Sequence, residues 1–344
     1  MHCPRCRRAP RARQGGAAMI VAMLVFAVSA ALVVAMRGEF LRFYQRNANI
    51  LLAEQSQAYL RGAEELATLA LQRDYDLDQE TQRPRDTLDE IWAQPPQPYA
   101  LEEGGWMSGS LEDLQGRFNL NTLIPRESPE SAVGEERFTE AQKQFIRLLQ
   151  ALEEPELSQY EATIITRAIG DWLDSDQFAV ANGAEDTYYA GLTPAYRAAN
   201  RPMTSVSELR AVANVTPELY RALEPWVTVW PRDPGRASLN IHTAPATVLR
   251  SINDTLNPLS EDEGERLVEY RQEAGFTDKR EFLEHPVFQG KEGMEAVAEL
   301  LGESSSYFLL SAQAELAGSN MRLYSVLERR NRRVAALARA GGSL

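Results

Sequence analysis

Ala17 to Met36 (AAMIVAMLVFAVSAALVVAM) is a run of about 20 residues without a charge. As a helix rising about 1.5 Å per residue, it would cover the roughly 30 Å hydrocarbon core of a bilayer. The helical pattern continues beyond the run. Ala48, Leu52, Tyr59, Ala63, Leu66 and Ala70 recur at spacings of three, four or seven, and no proline interrupts before Pro84. One continuous helix from about Ala17 to about Gln72 is therefore predicted, half in lipid and half beyond it. Pro84, Pro95, Pro96 and Pro98 make 83–99 a connector.

Gly105 to Leu123 then alternates apolar and polar positions in places, broken by glycines, and predicts the first strands of a sheet laid on that helix. From Thr139 to Trp172 the period returns to helical, with Phe145, Leu148, Leu149 and Leu152 as one stripe and Ile164, Ile165, Ala168, Ile169 and Trp172 as another. Shorter helices are predicted at Ser205–Val212, Pro217–Leu223, Ala244–Asn253 and Ser260–Ala274. Ser205 and Ser260 are read as N-caps, with Glu208 and Glu263 completing capping boxes. Tyr307–Leu316 and Met321–Leu337 flank Gly318, Ser319 and Asn320, and predict a hairpin that returns to the sheet. The fold class expected is α+β: a long N-terminal helix with an antiparallel sheet and a large helical insertion.

Charge sharpens this picture. The 344 residues carry 36 Lys and Arg against 49 Asp and Glu, a net charge of −13. Arg5, Arg7, Arg8, Arg11 and Arg13 precede the apolar run with no acid among them, which leaves 31 basic against 49 acidic residues on the remainder. By the positive-inside rule the arginines stay in the cytoplasm and the acidic body lies across the membrane. A cleavable secretory signal competes with this reading, but the run exceeds the roughly 7–15 apolar residues of a typical signal. The acidic body also disfavours nucleic acid as a partner.

The two cysteines, Cys3 and Cys6, precede the apolar run, so no disulfide framework holds the body. Their C-x-x-C spacing suits half a zinc site or a redox pair, without further ligands nearby. Three histidines, His2, His242 and His285, are scattered, and no H-E-x-x-H, G-x-S-x-G or P-loop occurs. An enzyme is not expected. Trp226 and Trp230 are read as packing between subdomains.

The densest candidate chemistry is Asp171, Asp174, Asp176, Glu185 and Asp186. These carboxylates repel one another, and the first lie at the carboxyl end of a predicted helix, where the macrodipole already disfavours negative charge. A cation would resolve both conflicts. Counting Asp174 as position one puts Asp176 at three, Asn182 at nine and Glu185 at twelve, part of an EF-hand pattern. Phe178 at five and Ala179 at six break it, so a calcium loop of another kind is inferred. A solvated acidic loop is the competing reading.

The Arg-rich leader ending in Gly15 and Gly16, with the apolar run directly after it, resembles a type IV prepilin or pseudopilin. That resemblance implies cleavage by the prepilin peptidase after Gly16 and methylation of Ala17. The family's glutamate at mature position five would pair with a neighbour's terminal amine; here the position holds Val21, or Ile20 if the cut follows Gly15. A subunit without that carboxylate is expected at the end of a filament, because an unpaired charge in lipid is costly.

Five blocks follow in order: DLQGRFNLNTL (Asp113–Leu123), DWLDSD (Asp171–Asp176), NGAEDTYY (Asn182–Tyr189), NRPMTSVSELRAV (Asn200–Val212) and LNIHTAP (Leu239–Pro245). Together they resemble the large minor pseudopilin K family of type II secretion systems. His242 stands where that family's pattern has Asn.

The resemblance implies a type IV pilin-like fold with an inserted helical (SAM-like or helix-hairpin-helix-like) domain at the tip of the pseudopilus. Its expected divisions are a leader (1–16), a transmembrane half-helix (17–36), a pilin-like helix with first strands (37–125), a helical insertion with the calcium loop (126–235), a second helical subdomain (236–303) and C-terminal strands (304–344). Implied partners are the minor pseudopilins I and J, possibly H, the major pseudopilin, the prepilin peptidase and the inner membrane of a Gram-negative cell, with the bulk periplasmic. Calcium is the implied ligand.

Leu239–Leu283, and more weakly Arg201–Trp226, also resemble helix-hairpin-helix units, which grip phosphate with a glycine-rich hairpin. Here the hairpin reads Leu259, Ser260, Glu261, Asp262, Glu263, so a membrane-anchored DNA-handling protein is the less favoured alternative.

Overall fold

A computed structural model describes residues 15–102, 104–124 and 138–341. The leader, including His2, Cys3 and Cys6, lies outside the described residues. Helix α1 spans Gly15–Thr81. Its stretch up to Gln57 forms one unit, and everything from Ala58 onward forms a second. In the first unit the apolar residues are exposed, Phe26 at 76% and Val34 at 71%, over a window of mean hydropathy 2.8. By length and composition this helix can cross a membrane. Gly16 and Ala17 fall in its first turn and Val21 in its second.

In the second unit α1 runs about nine residues past the predicted Gln72. The stripe it buries is Leu60, Ala63, Ala67 and Leu71, with Tyr59 and Ala70 partly buried beside it; Leu66 is exposed. The same period then continues in acids, Asp74 and Asp78, which is why the apolar pattern fades while the helix does not. Gln82 in the left-handed region (φ 55°) and Pro84 end it.

Strands β1 (Tyr99–Ala100), β2 (Trp106–Asp113) and β3 (Phe118–Asn119) follow. Gly105, between β1 and β2, sits at φ +108°, where an added Cβ would lie 2.1 Å from the Glu315 carbonyl oxygen. Only glycine fits there.

The helical region opens with α2 (Glu140–Gln150) and α3 (Gln159–Leu173), each started by a capping box, Thr139 with Gln142 and Ser158 with Glu161. Pro155 lies in the break between them. Next come α4 (Asp186–Tyr189), α5 (Pro217–Leu223), β4 (Val227–Thr228) and β5 (Leu239–Asn240). Helices α6 (Ala246–Leu249), α7 (Glu261–Glu273), α8 (Lys279–Glu284) and α9 (Met294–Ala298) lead to β6 (Leu301–Gly302).

Two predicted helices come out differently. Ser205–Val212 is a 3-10 segment, Val206–Ala211, and Ala244–Asn253 keeps only the four residues of α6 after Pro245. The capping box of Ser260 and Glu263 forms as read. Single-turn helices this short depend on tertiary packing, not on their own period.

The predicted C-terminal hairpin is a three-strand meander, β7 (Tyr307–Leu316), β8 (Ser319–Arg330) and β9 (Arg333–Ala340). The second turn, at Asn331 and Arg332, was hidden because the sequence there carries charges and no glycine. The sheet order is β1-β2-β7-β8-β9, antiparallel throughout, with Leu111 opposite Leu310 and Leu310 opposite Ser325.

Phe308, Leu310, Ala312 and Leu327 bury against the α1 stripe together with Trp92. A second, larger core gathers Phe118, Phe145, Ile169, Leu223, Val248, Phe276 and Leu301. It takes in both expected halves of the helical insertion. Two parallel pairs, β3 with β4 and β5 with β6, tie that core together. Trp230 stacks on Tyr307 with ring centroids 6.3 Å apart, while Trp226 is partly buried against the helical core.

Candidate metal centre

Helix α3 delivers Asp171 in its last turn, fully buried, and Asp174 as its C-cap in extended backbone. The chain then loops away and returns through Asn182, left-handed at φ 64°, and Gly183, whose amide donates to the Val180 carbonyl at 2.7 Å. A Cβ on Gly183 would lie 1.9 Å from Asp171 Oδ2. Only a glycine lets the returning strand pass over that carboxylate. Two residues later Glu185, buried, serves as N-cap position of α4 without using its side chain as a cap. Its carboxylate is thereby left for other work.

The outcome is three carboxylate oxygens, one each from Asp171, Asp174 and Glu185, all within 4.8 Å of one another. Asp171 Oδ1 accepts from the Val180 amide at 3.4 Å, whereas Asp171 Oδ2 and both Glu185 oxygens have no hydrogen-bond partner among the described residues. Buried carboxylate oxygens without donors are costly and rare. Burial, and then its acidic neighbours, push Glu185 up to about 7; burial pushes Asp171 up to about 6 and also raises Asp174. Left alone, the cluster holds protons near neutrality. A hard cation with oxygen ligands at about 2.3–2.6 Å spans such a set, and three anionic oxygens supply the charge it needs.

Of the five acids singled out in the sequence, the structure brings these three together. Asp176 is exposed, and its Oδ1 accepts from the Phe178 amide at 2.7 Å to close a turn. Asp186 Oδ1 accepts from the Ala198 amide at 3.0 Å, and its Oδ2 lies 3.9 Å from Arg197 Nε. Phe178, at the broken fifth position, is 83% exposed.

One residue escaped the sequence reading. Asn200, at φ 46°, donates its backbone amide to the Trp172 carbonyl and its side-chain amide to the Asp176 carbonyl, at 3.0 and 2.9 Å. Its Oδ1 is a further buried oxygen without a partner among the described residues. Distance in sequence hid it: nothing in the carboxylate spacing points 24 residues on. Arg167 also braces the loop, donating to the Ala181 carbonyl at 2.8 Å.

His242, the departure within LNIHTAP, is buried; its amide donates to Asn240 Oδ1 at 3.0 Å while its ring Nε2 has no partner among the described residues. Burial, with Arg85 and Arg271 nearby, pushes it down to about 4, so the ring stays neutral. At the helix-hairpin-helix-like segment, Ser260 caps α7 and the first helical turn carries Glu261, Asp262 and Glu263. That places three acids where a phosphate-gripping hairpin presents bare amides.

Comparison with known proteins gives a consistent answer. Two family models match, both described as type II secretion system protein K: a first-domain model over residues 116–232 and a second over 239–303. A type II secretion system protein K from Aeromonas hydrophila is 32% identical, covering 98% of this chain and 99% of its own. Another, from Pseudomonas aeruginosa, is 34% identical over 93% of this chain and 90% of its own. Among solved structures, a chain of the GspK-GspI-GspJ complex from enterotoxigenic Escherichia coli superposes with a TM-score of 0.73 at 24% identity, over 87% of this chain and all of that one. At that identity the superposition speaks for the fold.

Proposed function

The chain belongs to the type II secretion system protein K family, and on that premise we propose that it is a non-enzymatic minor pseudopilin at the tip of the pseudopilus, where it initiates or caps assembly. The observation that carries the reading is Val21. In the long exposed apolar helix, the fifth position of the mature chain offers no carboxylate to a neighbour's terminal amine. A subunit placed above this one would bury an uncompensated charge in lipid. A chain of this kind has a place at the end of a fibre and none in its shaft.

In this reading the prepilin peptidase cuts after Gly16, Ala17 becomes the methylated terminus, and α1 anchors the chain once in the inner membrane with its bulk in the periplasm. The five-stranded sheet on α1 plays the pilin-like part, and the helical region, of SAM-like character, forms the head. Minor pseudopilins I and J are the neighbours proposed, with H and the major pseudopilin below them. The solved chain with this fold comes from a complex with GspI and GspJ, which supports that choice.

We further propose that Asp171, Asp174 and Glu185 hold a calcium ion, with Asn200 Oδ1 as a candidate additional ligand. The ion would supply positive charge that joins the end of α3 to the start of α4. Its role is structural.

The test is to label this chain in isolated pseudopili. Label at one end of each fibre, and co-purification with I and J, is expected. Label recurring along the shaft, at the frequency of the major subunit, overturns the proposal.

A further inference from the structure

Between α1 and the sheet lies a second group of acids, which the metal centre does not use. Asp74 comes from α1, Asp86 and Glu90 from the connector that follows it, and oxygens of all three lie within 4.8 Å of one another. A cation of the chain's own already occupies their midst. Arg329 Nη1 donates to Asp74 Oδ2 at 2.6 Å, and its Nη2 donates to Asp86 Oδ1 and to the Ser305 carbonyl. Asp86 Oδ2 also accepts from the Ser305 amide at 2.6 Å. Both aspartates thus spend their charge on the one guanidinium.

Among the described residues no cation pairs with Glu90. Its Oε2 accepts from the Trp92 indole at 2.6 Å and its Oε1 from the Thr87 hydroxyl at 3.3 Å. Three carboxylates facing one guanidinium at this spacing cannot all be ionised comfortably.

The charged groups around Glu90 leave it no relief. On α1, Asp74 faces it, and Asp78 one turn on adds to the acid there. On its own segment Asp86 faces it, while Arg85 donates away to the Phe276 carbonyl at 3.1 Å and Asp89 acts on Arg271. From β2, Asp113 acts on Asp86. From β8, Arg329 is already doubly engaged.

The segment so held is a strap. Trp92, buried, meets Phe308 of the sheet edge-on with centroids 5.1 Å apart. The residues after it, Gln94 to Gln97, wall a cavity of about 630 Å³ whose other sides include Ala63, Ala67 and Ala70 of α1 and Met107 of β2. We propose that the connector is a proton-held strap: a proton on Glu90 lets it rest beside Asp74 and Asp86 with Trp92 seated, and loss of that proton drives the strap off the apolar groove.

Burial, and then Asp74, push Glu90 up to about 8. Closed, Glu90 keeps its proton up to about pH 8; open, it releases it near the ordinary 4.5, so each opening between those values frees one proton and closure weakens as pH rises.

The test uses the full chain in detergent, reading amide hydrogen exchange of 87–97 relative to the rate of an unstructured peptide. Protection is expected to fall by up to ~100-fold from pH 6 to pH 8, at ~tenfold per proton and pH unit. Glu90→Gln keeps the indole acceptor without the charge and is expected to remove at least about tenfold of that change, Asp78 and Asp86 accounting for what persists. Protection that does not change with pH, or a Glu90→Gln chain with the unaltered pH dependence, overturns the proposal. Should Glu90→Gln fail to fold, infrared spectra of a Glu185→Gln chain with 13C-labelled glutamate carboxyls decide, because the raised aspartates are then unlabelled and Glu90 is left as the one glutamate shifted upward among the described residues. A protonated-carboxyl band present at pH 6 and lost by pH 9 supports the strap, and its absence at pH 6 refutes it.

Discussion

Without the proposed calcium at Asp171, Asp174 and Glu185, stability is expected to fall as pH rises. Asp171 moves from an ordinary 3.8 to about 6 and Glu185 from 4.5 to about 7, in both cases chiefly through burial. A group raised on folding contributes fully below its unfolded value and loses that contribution as pH climbs through its folded one. The window is therefore about pH 4 to about pH 7. At 1.36 kcal/mol per unit, each group alone would account for about 3 kcal/mol, and the pair for about 4–5 kcal/mol once their mutual repulsion is counted a single time.

The proposed calcium would reverse the preference, because a metal ion binds carboxylates in their ionised form. Metal-free and calcium-saturated chains should therefore have similar melting temperatures near pH 4 and diverge above it, reaching a gap of roughly 10 °C by about pH 7.5 at ~2–4 °C per kcal/mol. The assay is thermal unfolding followed by circular dichroism on the full chain in detergent. Metal is removed beforehand, so that no chelator's own pH dependence enters. Glu90, Asp86 and Asp78 also titrate upward of the usual range, so only the calcium-dependent difference counts. A gap that fails to widen with pH, or equal melting curves with and without calcium at pH 7.5, would rule out calcium at these carboxylates. Asp171→Asn together with Glu185→Gln should abolish both the gap and its slope.

Gly183→Ala should erase most of the calcium response, since its methyl would need the space of Asp171 Oδ2; titration calorimetry with calcium checks this, and an unchanged affinity would contradict it. Arg329→Met leaves Asp74 and Asp86 buried without their cation and should cost about 3–5 kcal/mol, less at pH 5 than at pH 8 because burial already raises Asp86 and its protonation relieves the lost pairing. Denaturant unfolding at the two pH values measures it. Leu71→Ala empties a fully buried site between α1 and the sheet and should cost about 2–5 kcal/mol by the same measurement. Gly16→Ala should leave the leader uncleaved and secretion impaired, read by the size of the chain on a gel and by exported protein in the medium.

The long helix was legible because its lipid-length run and apolar stripe are local properties of the chain, and the capping boxes of Ser205 and Ser260 because their signal lies within four residues. What escaped was decided by contacts far apart in sequence. The last turns of α1 look polar until Arg329, some 250 residues later, supplies the partner that makes Asp74 a core residue. The parallel pairs β3–β4 and β5–β6 are two residues each, too short to carry a period, and exist only because the helical core brings their strands together.

At the metal centre the same distinction separates the acids. Spacing alone treated all five as equals, but Gly183 turns the chain so that Glu185 meets Asp171, while Asp186, one residue on, is spent on the Ala198 amide. A carboxylate joins a buried cluster when the backbone leaves its oxygens without donors, and Asp176, satisfied by its own loop, has no such need. Orphaned oxygens, read from the fold, thus distinguish members of the cluster where charge density along the chain could not. The same criterion separates the two acidic groups, since Arg329 and Ser305 satisfy Asp86, while among the described residues neither Glu185 oxygen meets a well-placed donor. The proposed calcium at Glu185 and the proposed proton at Glu90 follow from that difference.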